Sequence, residues 1–332
     1  GACYAWMSYL YLYVGDWANA KKWAEEVIKL GIYDLYRSTA DPADSFRRQF
    51  IHEAYNNDTK ESILTTELGM RQVQRRLAPP DGGNGQTGLS PTASLVDEFE
   101  LLDGRTLDEL PADEKRAYQL DPQPEKRDPR LGMSIIFPTE TFLGYTAHPW
   151  EPSHKDAIGK EGSTKTGYWI KKWANETDRT NYSSTDGGKL DFQNMRYAVV
   201  LLNYVEALNE YDPGNPDIEK YLNLIRERGG LGPVQSGLSQ ELMREQIRLE
   251  RRIELCFEQL RYFDTRRWLI AEQTDGGPFY GMNVDAGNSF TDEAFYEKTV
   301  FETRVFRPEF YLFPIPQSEI NRDPQIVQNP GW

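Results

Sequence analysis

The most regular hydrophobic pattern in the chain lies between residues 247 and 268. Apolar side chains recur there at helical spacing, at Leu249, Ile253, Cys256, Phe257 and Leu260. The opposite face carries charges of both signs, at Arg251, Glu254, Glu258 and Arg261. Because charges three or four positions apart on a helix neutralise one another, this face can lie against protein. We therefore predict a helix buried on two sides, with these four charged residues in a structural network of mutual or backbone hydrogen bonds.

Three stretches of the chain have helical patterns. The first, residues 2–30, is broken by a turn at Gly15, and small residues on both sides let two helices approach closely, as in a tetratricopeptide repeat. The second, residues 192–228, is a helix pair around a turn that contains Pro and Gly. The third, residues 239–272, includes the pattern described above and starts with Ser239 as a helix cap.

A long insertion separates the first two helical stretches. It is rich in Gly, Pro, Asp, Thr and aromatic residues, and shows only short strand-like pieces near 133–137 and 167–170. A loop region of this length in a compact domain usually carries function. The sequence thus predicts one mainly α domain with a tetratricopeptide-like helix hairpin at 1–36, an irregular aromatic-rich insertion at 37–190, a helical scaffold at 191–274, and a loop and extended wrapping tail at 275–332.

Charge and cysteine usage exclude several classes of function. The 332 residues contain 38 Lys and Arg against 52 Asp and Glu, and the net charge of −14 would repel nucleic acid and anionic lipid. No apolar run approaches the roughly 18 residues of a membrane span. Cys3 and Cys256 lack metal-ligand spacing. Cys3 is expected in the core. The sequence leaves open whether the two cysteines form a disulfide.

Catalytic and metal sites find little support in the sequence. Glu254 and Glu258 are one helical turn apart, as paired carboxylates of a glycosidase could be, but each has an arginine three positions away that favours the ionised form. No catalytic residues are therefore predicted. The run 283–292 is rich in Asn and Asp and could hold calcium, although it lacks the spacing of an EF-hand loop. We expect no cofactor and no metal, with calcium as the open alternative.

Binding is better supported, because aromatic rings in polar loops suit sugars. A sugar presents an apolar face that a flat ring can cover, and nearby polar groups then complete its hydrogen bonds. The candidate ligand-binding residues are the aromatic side chains in Gly-, Pro- or Asx-rich loops, Phe142, Tyr145, Trp150, Tyr182, Phe279 and Tyr280. Each of them could instead anchor its loop on the scaffold. We expect them to converge on one exposed surface that binds a neutral oligosaccharide.

The charged helix also carries a family resemblance. Its sequence RRIELCFEQLRYFDTRRW is similar to the ERR-x-EL-x-FEG-x-R-x-x-D-x-x-RW pattern of SusD/RagB-type proteins, and departs from it at Gln259, where the family usually has glycine. Five further segments resemble family motifs in the same order, SPTASLVDEFELLDGRTL, KRDPRLGMSIIFP, TGYWIKKW, MRYAVVLLNYVEALNE and YLFPIPQSEINRDPQIVQNPGW. The resemblance therefore spans nearly the whole chain.

This resemblance implies a SusD-like α-α superhelix and a role in nutrient uptake. Proteins of this type are lipid-anchored on the outer membrane of Bacteroidetes-type bacteria, bind oligosaccharide without cleaving it, and act as a lid on a SusC-like TonB-dependent transporter. Because they begin with a secretion signal, a lipid-modified cysteine and a long helical region, we interpret the chain as the C-terminal two thirds of such a protein. Three alternatives remain, namely a RagB-like peptide-binding protein, a helical-repeat scaffold for protein partners, and a carbohydrate-active hydrolase.

Overall fold

The computed structural model describes most of the chain. The described ranges are residues 1–51, 59–70, 76–77, 79–80, 85–120, 124–142, 144–174, 190–283, 294 and 297–332. The predictions for Tyr182 and for nearly all of the run 283–292 lie outside these residues.

The first helix hairpin has the predicted bounds. Helices α1 (Ala2–Tyr13) and α2 (Trp17–Lys29) pack against each other, and the side chain of Asp16 caps α2 by accepting from the Asn19 backbone N–H at 3.1 Å. The small residues Ser8, Ala20 and Ala24 are fully buried, which allows the predicted close approach.

Short elements fill the insertion. Among its described residues, the helices are α3 (Ser45–Arg48), α4 (Ala93–Glu98), α5 (Ala112–Leu120) and α6 (Arg130–Ser134). Its strands are β1 (Ser62–Met70), β2 (Ile135–Ile136), β3 (Thr141–Phe142), β4 (Tyr145–Thr146), β5 (Trp169–Ile170) and, at its end, β6 (Leu190–Arg196). These pair antiparallel as β1 with β6, β2 with β5, and β3 with β4. The β2–β5 pair confirms the two strand-like pieces, whereas β1 was not predicted.

The scaffold and the tail follow the insertion. The scaffold helices are α7 (Tyr197–Tyr211), α8 (Pro216–Gly229), α9 (Gln240–Glu254), α10 (Arg261–Arg267) and α11 (Ala271–Thr274). The tail contains β7 (Gly277–Met282), β8 (Lys298–Arg304) and α12 (Gln317–Arg322). Single 3₁₀ turns lie at Pro42–Asp44, Leu107–Glu109, Pro124–Lys126 and Pro308–Tyr311. Strands β7 and β8 pair antiparallel within the region predicted as a loop and extended tail.

Two predicted helix boundaries were also wrong. The helix expected from residue 192 begins at Tyr197, because residues 190–196 pair with β1 as a strand. The charged helix ends at Glu254, since Phe257 and Gln259 adopt left-handed backbone conformations with φ of 64° and 66°. Together they turn the chain before α10 begins.

Two larger cores hold these elements together. The main core lies among α1, α2 and α7 to α9, and almost every residue of α7 is buried. A second core joins the insertion to the scaffold through Phe99, Ile135, Tyr168, Ile253 and Met282. The insertion is therefore packed onto the helices, which fixes its loops in place.

The two cysteines are free thiols. Cys256 is buried in the second core, but Cys3 is exposed, so its predicted place in the core was wrong. Within the described ranges, no helix is both long enough and apolar enough to cross a bilayer.

Candidate functional site

Buried ion pairs surround Glu254 at the end of α9. Its carboxylate accepts hydrogen bonds from Arg196 Nη1 at 2.7 Å, from Arg130 Nη1 at 3.2 Å and from Arg228 Nη2. These arginines come from β6, α6 and α8, and all four side chains are 0% exposed. One carboxylate thus joins three other elements of the fold.

Glu258 and Glu61 extend this buried charge network. Glu258 accepts from Lys172 Nζ and from Arg196 Nε, each at 2.7 Å. Glu61 accepts from Arg196 at 2.7 Å and from Arg228 at 2.8 Å. Because Glu61 and Lys172 belong to the insertion, the network fastens the insertion to the scaffold.

The predicted charged residues are mostly buried, but their partners differ from the prediction. Arg251, Glu254 and Glu258 are buried as expected. Arg251 pairs with Asp264 at 2.7 Å and not with Glu254. The buried Nε of Arg261 has no hydrogen-bond partner among the described residues, and its guanidinium group lies 5.9 Å from the Trp268 ring centroid. The predicted mutual pairing was wrong because the helix ends at residue 254, so the four side chains do not share one helical face.

The network keeps its carboxylates ionised. Burial alone would raise the pKa of Glu254, but the three surrounding guanidinium groups lower it to about 2. The pKa of Glu258 is also lowered, since Arg196 and Lys172 outweigh burial. A carboxylate that is ionised at neutral pH cannot be the general acid of a glycosidase. This pair therefore has a structural role.

Phe142 is not an exposed ring. It is 1% exposed and packs with Ile136, Ala147 and Trp169 in a small core of the insertion. The expectation that it lies on a ligand-binding surface was wrong, because the β3–β4 hairpin turns this ring inward.

Tyr145 and Trp150 belong to an aromatic cluster with two histidines. The His148 ring lies 6.2 Å from Tyr145, 5.1 Å from Trp150 and 4.6 Å from His154, measured between centroids. The Tyr145 hydroxyl is 3.1 Å from His154 Nδ1, and Glu151 pairs with His154 Nε2 at 2.7 Å. All of these side chains are partly exposed. The 145–154 cluster thus combines flat rings with polar atoms at the surface.

Phe279 and Tyr280 are neighbours on β7 but pack differently. Tyr280 packs against the second core, as Trp150 does. Phe279 lines a groove beside α10, and the guanidinium group of Arg304 from β8 lies 4.2 Å from its ring centroid. Tyr145 and Trp150 therefore lie in the 145–154 cluster, and Phe279 lies in this groove. Phe142 and Tyr280 pack against the cores and belong to neither place.

The groove has a volume of about 730 Å³. Its walls are α10, the β7–β8 hairpin, the start of α4 and the tail. Its aromatic side chains are Phe257, Tyr262, Phe279, Phe306, Phe310, Phe313 and Trp332. Four arginines also line it, Arg252, Arg261, Arg266 and Arg304. We call it the tail groove.

Sequence reasoning missed most of the tail groove. The dense aromatic run at residues 306–313 is the available signal, but its sequence alone predicts only an extended tail that wraps the scaffold. Only the structure shows that this run faces Tyr262 on α10, where Phe313 stacks on it at 6.3 Å.

No metal site is evident in the described ranges. No group of three or more His, Cys, Asp or Glu side chains there could hold an ion. The open calcium alternative concerned the run 283–292, which falls almost wholly outside those ranges.

Comparison with known proteins agrees with the motifs. The sequence profile of the SusD family matches residues 46–332. The SusD-like protein P2 of Formosa agariphila is 33% identical over 148 residues, which are 42% of this chain and 25% of that protein.

Solved structures share the fold. A SusD-like protein from Bacteroides fragilis is 29% identical, with a TM-score of 0.81 over 100% of this chain and 65% of its own. A SusD-like carbohydrate binding protein from the same species is 24% identical, with a TM-score of 0.82 over 97% of this chain and 64% of its own, a likeness of fold alone. The predicted mainly α, SusD-like fold class is confirmed. The chain spans less than two thirds of the length of each of these proteins.

Proposed function

Because this chain belongs to the SusD family, we propose that it binds an oligosaccharide without cleaving it and delivers the sugar to a SusC-like TonB-dependent transporter. The observation that carries the proposal is the 145–154 cluster, where Trp150 and Tyr145 stand partly exposed among polar atoms. Flat rings with hydrogen-bonding groups at their edges match the alternating apolar and polar surface of a sugar. Packing against the second core fixes Trp150, so little entropy is lost on binding.

The proposed location follows the family. We place the protein on the outer face of the outer membrane of a Bacteroidetes-type bacterium, held by an N-terminal lipid anchor. In this proposal the 145–154 cluster contacts the glycan, and Tyr182 and Phe279 are further candidates for contact. The buried charge network supports this role, because it fastens the insertion that carries this cluster to the helical scaffold.

A truncation of Trp150 tests the proposal. Trp150→Ala in the full-length protein should lower glycan affinity by about 2 kcal/mol, as expected for an aromatic hot spot. Tyr145→Ala should act in the same direction. Calorimetric titration with the glycan selected on an array measures both effects. Trp6→Ala on α1 is the matched control, since Trp6 is also a surface tryptophan at 37% exposure but lies in the first hairpin.

Three results would contradict the proposal. Unchanged affinity in Trp150→Ala and Tyr145→Ala would place the sugar elsewhere. Hydrolysis of the bound glycan by purified protein would make it an enzyme. Binding of peptides in preference to every glycan would favour the peptide-uptake alternative.

A further inference from the structure

The buried charge network continues past Arg130. This arginine of α6 pairs with Asp128 at 2.7 Å and with Glu250 of α9. Glu250 also accepts from Nη1 of Arg226, on α8, at 3.3 Å. The same Nη1 donates to Glu100 of the insertion at 2.6 Å. We call the whole set of connected ion pairs, which ends at Glu100, the extended network.

The extended network holds more carboxylates than cations. All its members are buried, with side chains at most 3% exposed. Its six carboxylates and five cations are Asp128, Glu61, Glu100, Glu250, Glu254 and Glu258, and Lys172, Arg130, Arg196, Arg226 and Arg228. Within the described ranges, one carboxylate thus lacks a cation to balance its charge. A buried carboxylate without a counter-charge takes up a proton instead.

The geometry identifies Glu100 as the carboxylate with the weakest pairing. Each of the other glutamates in the extended network pairs with at least two cations. Asp128 pairs with Arg130 alone, but it accepts from Nε at 3.1 Å, from Nη2 at 2.7 Å and from the backbone N–H at 2.9 Å. Glu100 has one nitrogen of Arg226, which it shares with Glu250.

Arg127 is a further buried cation close to Glu100 in the chain, but it is bonded elsewhere. Its guanidinium group donates to the backbone carbonyls of Val96 at 2.7 Å, Asp97 at 3.0 Å and Phe99 at 3.2 Å. Among the described residues no salt bridge joins it to the extended network. Arg127 therefore ends the turn after α4 and does not pair with the Glu100 carboxylate.

Glu100 also lines a cavity of about 680 Å³. The other charged residues that line this cavity are Arg226, Asp103, Arg105, Glu109 and Glu245. Arg105 already pairs with Asp103 at 2.8 Å. Apart from Arg226, the charges that face Glu100 from this side are thus mostly negative, and they favour its protonated form.

A proton on Glu100 is compatible with its hydrogen bonds. Oε2 accepts from Arg226, and Oε1 lies 3.0 Å from the side-chain amide nitrogen of Gln246. Because the two ends of a glutamine amide can exchange places, the Gln246 oxygen can accept from a Glu100 O–H. Burial raises the pKa of Glu100, the Arg226 guanidinium opposes this, and the Glu250 carboxylate adds to it, so that the pKa is raised overall.

We propose that Glu100 retains its proton at neutral pH and that this proton fastens the insertion to α8 and α9. The segment around Glu100 is joined to the start of α6, since the Asp128 N–H donates to the Glu100 carbonyl at 2.7 Å. Loss of the proton leaves Glu100 and Glu250 as two charged carboxylates on one guanidinium nitrogen, where they repel each other. This proton lies inside the scaffold and does not depend on which ligand the protein binds.

Infrared difference spectra of the full-length protein detect the proton directly. At pH 7, the spectrum of wild-type protein minus that of Glu100→Gln should contain the C=O stretch of a protonated carboxyl group. Glu210→Gln is the matched control, because Glu210 is a scaffold carboxylate with an arginine of its own, Arg244, at 2.5 Å. Its difference spectrum should lack this band.

Gln246→Lys provides a second variant in which Glu100 is still present. Gln246 is partly exposed and contacts Glu100, so a lysine there supplies the missing cation. We expect the band of the protonated carboxyl group to disappear from the spectrum of this variant at pH 7. This variant tests the inference even where Glu100→Gln does not fold.

Unfolding at several pH values gives an independent measurement. Above the ordinary pKa of 4.5, the unfolded chain releases the Glu100 proton while the folded protein keeps it, so stability falls as the pH rises. The ratio of the folding equilibrium constants of wild-type protein and Glu100→Gln should therefore fall by up to about tenfold per pH unit between pH 5 and pH 7. Glu210→Gln should keep the pH dependence of the wild-type protein.

Four results would overturn the inference. The first is the absence at pH 7 of a protonated carboxyl band that Glu100→Gln removes. The second is a band that persists in Glu100→Gln and disappears in Glu250→Gln, which would place the proton on Glu250. The third is a band that persists unchanged in Gln246→Lys. The last is a constant stability difference between wild-type protein and Glu100→Gln from pH 5 to pH 8, which would mean that folded Glu100 is ionised throughout.

Discussion

The buried charge network and the tail groove contain the same residue types, but their charged side chains are paired differently. Each places cationic side chains against aromatic rings. In the network, Lys172 lies 4.5 Å from the Phe50 centroid and Arg196 lies 5.4 Å from it. In the groove, Arg266 and Arg304 lie over rings in the same way. The two regions differ in the number of carboxylates that pair with each cation.

In the network each cation meets fixed carboxylates away from water. Arg196 alone contacts Glu61, Glu254 and Glu258. Such pairs offset their desolvation cost only if all members are present and well oriented. In the groove the pairs are single and partly solvated, and the buried Nε of Arg261 has no hydrogen-bond partner among the described residues. Buried and multiply paired arginines thus hold this fold together, whereas the arginines of the groove have single and more exposed partners.

Removal of one network carboxylate is the strongest test of this contrast. Glu254→Ala should destabilise the protein by about 3–5 kcal/mol, because three buried guanidinium groups lose a common partner. Urea unfolding monitored by circular dichroism measures the change. Glu245→Ala is the matched control, since Glu245 is exposed on the same helix and should change stability by no more than about 0.5 kcal/mol. Similar losses of stability in both variants would show that the network contributes no more to the free energy of unfolding than solvent-exposed charges do.

Acid should weaken the network over a defined range of pH. The pKa of Glu254 is about 2 in the folded protein against an ordinary value of 4.5. Below pH 4.5 the unfolded chain takes up this proton while the folded protein does not, so stability falls until the pH reaches about 2. The contribution lost is on the order of 3 kcal/mol. Above pH 4.5 this carboxylate contributes no pH dependence.

Unfolding free energies at pH 6, 4 and 3 check this expectation. The difference between wild-type protein and Glu254→Gln should shrink as the pH falls through this range. A difference that stays constant from pH 6 to pH 3 would mean that the folded pKa of Glu254 is not depressed.

The helical part of the fold was predictable because its signals are local. The hairpin of α1 and α2 follows from apolar spacing around Gly15, and α9 begins at its cap Ser239, whose side chain accepts from the Leu242 N–H at 3.3 Å. Strands β1 and β6 carried no such signal, since their pairing joins Thr66 to Phe192 across more than a hundred residues. The apolar pattern also continues through Arg196 into α7, so the sequence does not show the boundary between β6 and α7.

The site was harder to predict than the fold. Periodicity showed that Glu254 would be buried, but its partners Arg130, Arg196 and Arg228 lie far away in sequence and no local rule identifies them. An aromatic side chain in a polar loop can point into the core or toward solvent, so the sequence could not distinguish Phe142 from Trp150. Long-range packing decided both cases.

The smallest expected effect on stability comes from a substitution in the turn between α9 and α10. Gln259 is exposed and has a φ of 66°, a conformation that costs a side-chain-bearing residue about 1–2 kcal/mol and glycine almost nothing. Glycine also loses more entropy on folding, so Gln259→Gly should stabilise the protein by about 0.5–1 kcal/mol. Gln273→Gly is the matched control, because Gln273 lies exposed in helix α11, where the same substitution should destabilise by about 1 kcal/mol. Thermal unfolding compares the two variants. A lower Tm for Gln259→Gly would show that the turn between α9 and α10 depends on the glutamine side chain and not on backbone conformation.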